Sequence, residues 1–238
     1  MNLRFSTVYA DAGAMWRANR EVLLTVVGVF VFLPVFTFNL FVPMPSLAGV
    51  KDDALYQVIG NWYAANAPWL ALTLAAQFFG SAAVLALLLD AGRPTVGQAI
   101  GRVGRLLPAL LVALIGSGVL IGGGFALFFI PGMYAFGRCY LIWAVVVAEP
   151  EHGVVDGFVE GLKRTHGLGW RLFALAMTVV LPFYLFANIL GGLTTGLEAS
   201  GALGTSVSAL IAATLGALAS LAQLLLQAAA YRAIKQGI

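Results

Sequence analysis

The sequence predicts an all-α fold, a polytopic membrane helix bundle with six spans in three repeats, each an interfacial amphipathic helix followed by a transmembrane hairpin. Three observations predict it. Hydrophobic residues make up 61% of the 238 and charged residues 10%, a balance that leaves a water-soluble fold short of charged surface and that a bilayer accommodates. The apolar residues gather into six long runs, and the backbone of such runs satisfies its polar groups in hydrocarbon as helix. An amphipathic stretch precedes every second run, beginning at Phe5, Thr95 and Val154.

The elements follow in order. Phe5, Val8, Tyr9, Ala12, Met15 and Trp16 share one helical stripe, with Ser6, Asp11 and Arg17 off it, the pattern of a helix lying at an interface. The first span, residues 22–42, is longer than the apolar part of a signal peptide and follows a leader of twenty residues, so an uncleaved anchor is expected. Pro43, Pro45 and the polar residues 46–66, with Lys51, Asp52 and Asp53, read as the one sizeable loop on the far side. A second span, residues 67–89, opens near Pro68 and Trp69 and ends at Asp90. Gly92, Arg93 and Pro94 then break the chain, and Thr95 is an N-cap for a stripe of Val96, Ile100, Val103 and Leu107. Residues 106–130 form a glycine-rich third span, and Pro131 and Gly132 read as a tight turn into a short fourth, residues 132–148. At that length either the turn dips into the membrane or the bilayer is locally thin. A third amphipathic piece carries Val155, Phe158, Val159 and Leu162 on one side, and spans at residues 172–193 and 205–230 complete the chain.

The chain is thus a single integral membrane domain, residues 1–238, with repeat units at about 5–90, 95–148 and 154–230. Sliding the units over one another brings Pro34 level with Gly122 and with Pro182, so the first span of each hairpin carries helix-weakening residues at similar depth: Pro34, then Gly122, Gly123 and Gly124, then Pro182. Two readings stay open. Proline and glycine are common in membrane helices and allow close packing, or these positions interrupt helices around a shared central cavity. With the N-terminus inside, eleven of the basic residues fall on the inner side, Lys51 falls outside and Arg138 within the membrane, which places both termini in the cytoplasm.

Composition excludes several classes. The net charge of +3 comes from basic residues scattered over connecting segments, without the dense face that nucleic acid requires. The single Cys139 rules out an internal disulfide or a cysteine metal cage. His152 and His166 lack metal-ligand spacing, and the chain has no phosphate-cradling loop. Ser117 lies between Gly116 and Gly118 with no histidine in any span to serve as its base. Catalytic residues, metal ligands and cofactors are therefore not expected. Glu149, Glu151 and Asp156 read as solvated charges at helix ends. Arg138 is the sharpest candidate, since an ionised group inside a membrane needs a partner or a water-filled cavity. It either reaches the outer headgroups or holds an anionic ligand or lipid phosphate in its planar fork.

The order Pro131-Gly132, Arg138, Glu149, then Thr165-x-Gly167-x-x-Trp170-Arg171-Leu172-Phe173 resembles the membrane-domain family fused to some bacterial glycerophosphodiester phosphodiesterases, together with the related YciC-type inner-membrane proteins. Gly161 and Leu162 stand where that family often has Ser and Trp. The resemblance covers about forty residues and implies a bacterial inner-membrane protein of six spans. It does not carry over the phosphodiesterase activity, whose barrel this chain lacks. The expected function is that of a non-enzymatic inner-membrane protein that binds or organises membrane lipids or supports a membrane-associated protein partner. The alternative is a small transporter or permease subunit whose central cavity is lined by interrupted helices.

Overall fold

The computed structural model describes residues 4–42, 44–45, 51–90, 92, 94–198 and 201–237, with backbone alone at residues 52, 53 and 193–198. The expected breakers Pro43 and Arg93 and the loop residues 46–50 lie outside the described residues. Among the described residues every regular element is helical. Six segments among the described residues are long and apolar enough to cross a membrane: Phe5–Phe41, Ala54–Leu89, Val96–Leu127, Phe129–Ala148, Gly169–Gly192 and Ala202–Lys235.

The first of these is α1 (Phe5–Val27), a π-helical turn (Gly28–Phe32) and α2 (Leu33–Phe41). No break divides the amphipathic lead from the span, because Asn19, Arg20 and Glu21 include no helix breaker. The widened turn has a local cause. Pro34 has no N–H to give the carbonyl of Phe30, and its ring crowds that carbonyl, so the turn just before it opens.

The polar loop expected over residues 46–66 is corrected from Lys51 onward. α3 (Asp52–Leu89) runs for 38 residues, about 57 Å at 1.5 Å each, so this polar stretch is a helix that outruns the hydrocarbon. Ala54, Leu55, Gln57, Ala64 and Ala65 favour helix, and Pro68 lies well inside it rather than at its start. Phe38 and Trp62 meet edge to face at 6.1 Å, joining this extension to α2.

Thr95 caps α4 (Val96–Leu127): the Gln98 N–H donates to its hydroxyl at 3.4 Å, and the Thr95 N–H donates to Gln98 Oε1 at 2.9 Å. The turn after α4 is at Phe128, a single extended residue, and not at Pro131-Gly132. Those two sit in the first turn of α5 (Phe129–Cys139), where a missing N–H costs nothing. Gly132 is needed for contact, since any Cβ there would collide with the Phe125 ring.

The three consecutive glycines of α4 therefore differ. A methyl on Gly122 or Gly123 meets no atom within 4 Å, whereas one on Gly124 would lie 2.9 Å from Gly132 Cα. Gly122→Ala and Gly123→Ala are expected to raise stability by up to about 1 kcal/mol each, and Gly124→Ala to lower it by about 1–3 kcal/mol. Thermal unfolding in detergent reads this, and equal shifts for all three would contradict the α4–α5 contact.

Beyond a turn at Tyr140 and Leu141 comes α6 (Ile142–Ala148), then a 3₁₀ turn (Pro150–His152), α7 (Asp156–Arg164), α8 (Gly169–Glu198) and α9 (Ala202–Lys235). α7 packs antiparallel on α6 because Gly157 meets Val146 and Gly161 meets Ile142, the two glycines one turn apart on the same face. The glycine at 161 thus has a packing reason: its Cβ would sit 3.0 Å from Ile142 Cα. α8 and α9 form a hairpin, α5 lies along α8, and the stripe of Val8, Ala12 and Met15 is buried, with α1 against α9. One large buried cluster runs from Val8 to Ile234, with Leu23, Leu85, Leu110, Ile142, Leu172 and Leu175 fully enclosed, beside a smaller one of Ala144, Val145 and Tyr231.

Candidate functional site

α3, α4, the α5–α6 segment, α8 and α9 converge on a cleft of about 510 Å³, within the range of roughly 300–1,000 Å³ of small-molecule sites. Its polar groups are Gln77 and Ser81 from α3, Ser117 from α4, Tyr140, and Ser220, Gln223 and Gln227 from α9. Phe136, Trp143 and Phe183 supply apolar wall, and no lining residue carries a charge. The break between α5 and α6 sets Tyr140 in place: its hydroxyl donates to Gln223 Oε1 at 2.6 Å, and Gln223 Nε2 donates to the Ala176 carbonyl at 2.8 Å. This strut ties three segments together in surroundings where an unpaired amide is costly. Ser117 is different. It is 8% exposed, and its hydroxyl meets no nitrogen or oxygen partner among the described residues, only the weakly polar Cys139 thiol beside it on the cleft wall.

The interruptions expected around such a cavity fall elsewhere. Pro34 accompanies the π-turn, but α4 passes unbroken through Gly122, Gly123 and Gly124, and α8 through Pro182. A helical proline removes one hydrogen bond and a glycine none, and neighbouring helices hold both in line here. The interruption at the cleft is Tyr140-Leu141, where the sequence has neither residue type. A signal for the lining was present, however. Ser220, Gln223 and Gln227 recur at intervals of three and four within an apolar span, as do Gln77 and Ser81, and each set occupies one helical face.

Arg138 does not line the cleft. Its Nη2 donates to the Leu162 carbonyl at 2.5 Å and its Nε to Thr165 Oγ1 at 3.2 Å, and the guanidinium lies 5.9 Å from the Tyr134 ring centre. Thr165, fully buried, lies 2.8 Å from the Arg138 carbonyl, to which its hydroxyl donates. The arginine thus binds the last turn of α7 at the Leu162 carbonyl, while the Gly161 and Lys163 carbonyls accept from the Thr165 and His166 N–H groups. Gly167, at φ +75°, takes the left-handed conformation that the turn into α8 requires. Trp170 packs near Tyr134 and Phe173, and Arg171 is exposed. Arg138→Lys keeps the charge but loses the fork. It is expected to lower stability by about 1–2 kcal/mol, whereas an arginine that only reached headgroups would tolerate the change. An unshifted thermal midpoint would rule out the α7 tether.

Glu149 corrects an expectation. It is no solvated end charge: its side chain is 5% exposed and its oxygens meet Tyr231 Oη at 2.5 Å, an Arg164 Nη at 2.7 Å, His152 Nε2 at 2.9 Å and Lys235 Nζ at 3.1 Å. Burial alone would push its carboxyl up, but the bonds from Tyr231, Arg164, Lys235 and His152 together outweigh burial and hold it at about 2. Arg164, which also pairs with Glu160 at 3.0 Å, is raised above its ordinary value, the two carboxylates outweighing its desolvation. Tyr231 and Lys235 come from α9, more than eighty residues away, so spacing could not announce them. Glu149, Glu151 and His152 lie close enough to share an ion, but Arg164 and Lys235 already neutralise the one buried carboxylate. The group is an ion-pair node that fastens α6, α7 and α9. No protein-family model, curated protein or solved structure matches this chain.

Proposed function

We propose that this is a non-enzymatic, multi-pass inner-membrane protein that binds a membrane lipid in the cleft among α3, α4, α5–α6, α8 and α9. One observation carries the reading: an uncharged, hydrogen-bonding cleft of about 510 Å³ within segments apolar enough to span a bilayer. Lipid is the solvent such a cleft meets, and the buried Ser117 hydroxyl, left with only the weak Cys139 thiol, gains a strong partner from an entering hydroxyl or carbonyl. The stretch from Pro131 to Phe173 that resembles the phosphodiesterase-associated membrane domains supports placement in a bacterial inner membrane. The basic residues of the connecting segments support cytoplasmic termini, and the starts at Phe5, Thr95 and Val154 support a three-unit description. Native mass spectrometry of protein released from mild detergent tests the reading: a lipid mass is expected on the wild type and not on Gln227→Leu. Bare wild-type protein would refute it, and proteoliposomes that pass small polar solutes would replace it with the permease alternative.

A further inference from the structure

A second, narrower cavity of about 130 Å³ lies between α8 and α9, lined by Ala187, Leu190, Ile211, Ala212 and Leu215, with Ser208 as its one polar side chain. Phe183 lines both it and the cleft, so the two adjoin through one aromatic ring. Their chemistry differs. The cleft offers several serine hydroxyls and glutamine amides without any charge, whereas Ser208 is the one polar side chain of the slot. From this juxtaposition we infer that the bound lipid is one with an uncharged, hydroxyl-bearing head, its head in the cleft at Ser117 and Gln227 and one hydrocarbon chain passing Phe183 into the α8–α9 slot.

The inference rests on the proposed lipid-binding function and names the lipid's class. A phosphate in the cleft would find no basic side chain on its wall to bind, since the Arg138 guanidinium, though its charge is felt at Cys139, is held by the Leu162 carbonyl and Thr165 outside it. An unpaired charge at that depth is costly. An uncharged head instead finds donors and acceptors in the amides and in the buried Ser117 hydroxyl, whose one hydrogen-bonding neighbour among the described residues is the weak Cys139 thiol. A slot with one polar side chain lacks the two to four partners that a buried water needs, and hydrocarbon fills it favourably. Ala212 and Ala187 keep it open, and Ala212 lies on the outer side of the bundle, so a larger side chain there fills the slot without entering the core.

The test uses the full-length protein in lipid nanodiscs carrying either a diacylglycerol or a phosphatidylglycerol with a photoreactive group in one acyl chain, followed by peptide mapping. The diacylglycerol probe is expected to label peptides around Phe183 and Ile211 on the order of tenfold more than the charged probe, the ratio for a penalty near 1.4 kcal/mol. Ala212→Trp is expected to cut that labelling about fivefold, with Ala187→Phe as an independent block, while Ser117→Ala weakens head preference and leaves the chain in place. Equal labelling by both probes overturns the uncharged head. Labelling unchanged in both slot variants overturns the chain path, although a lipid retained in native mass spectra would keep the broader function standing. Absence of any retained lipid and of any labelling would remove both together.

Discussion

Glu149→Gln is expected to lower the thermal midpoint in detergent by on the order of 10 °C, the effect of about 3 kcal/mol in a chain of this size. The glutamine keeps the shape but leaves Arg164 and Lys235 without the anion they share. The pH dependence has a definite sign. A carboxyl held at about 2 against an ordinary 4.5 contributes its full stabilisation above pH 4.5 and loses it as the pH falls from about 4.5 towards 2. The difference of about 2.5 units corresponds to about 3 kcal/mol. Wild-type protein should therefore lose midpoint between pH 6 and pH 3 while Glu149→Gln, having nothing of this kind to lose, changes much less. Parallel curves for the two proteins would show that the node contributes no stability.

Gly137→Ala is the other substitution expected to act strongly. A Cβ on Gly137 would lie within the Gly169 carbonyl oxygen and 3.0 Å from the Phe173 nitrogen, so α5 and α8 would have to separate along the contact that sets Tyr140 and Gln223 in the cleft. Overpacking of this kind costs about 1–3 kcal/mol or more. Here it meets backbone, which cannot rotate aside. The expected outcome is a polydisperse size-exclusion profile and loss of the retained lipid. Gly118→Ala, which meets nothing within 4 Å, serves as the control with a wild-type profile. If both variants elute alike and melt alike, the close α5–α8 approach is wrong.

The apolar runs were legible because each is long enough to show its composition whatever its neighbours, and Thr95 was legible because its cap is closed by Gln98 three residues on. Residues 52–66 misled because polarity alone does not distinguish a loop from a helix projecting beyond hydrocarbon. Pro131-Gly132 misled because proline serves a helix start as well as a turn. Arg138 was singled out by its cost in the membrane, yet its partners Leu162 and Thr165 come from a segment that folds back against it, and only tertiary structure reveals that. Gly137 and Glu149 depend on chain 32 and 82 residues away respectively, at Gly169 and Tyr231. Nothing local distinguishes such a glycine or glutamate from an ordinary one.

Phe128 alone joins α4 to α5, and the tip it forms bears Leu127, Phe128, Phe129 and Ile130, each 57–80% exposed. During synthesis this pair presents the insertion machinery with no hydrophilic linker to translocate. A joint of one apolar residue spares α4 and α5 the cost of carrying polar chain across hydrocarbon. In a bilayer a tip of this composition would be at home among acyl chains, and it offers water-soluble reagents no polar side chain to label.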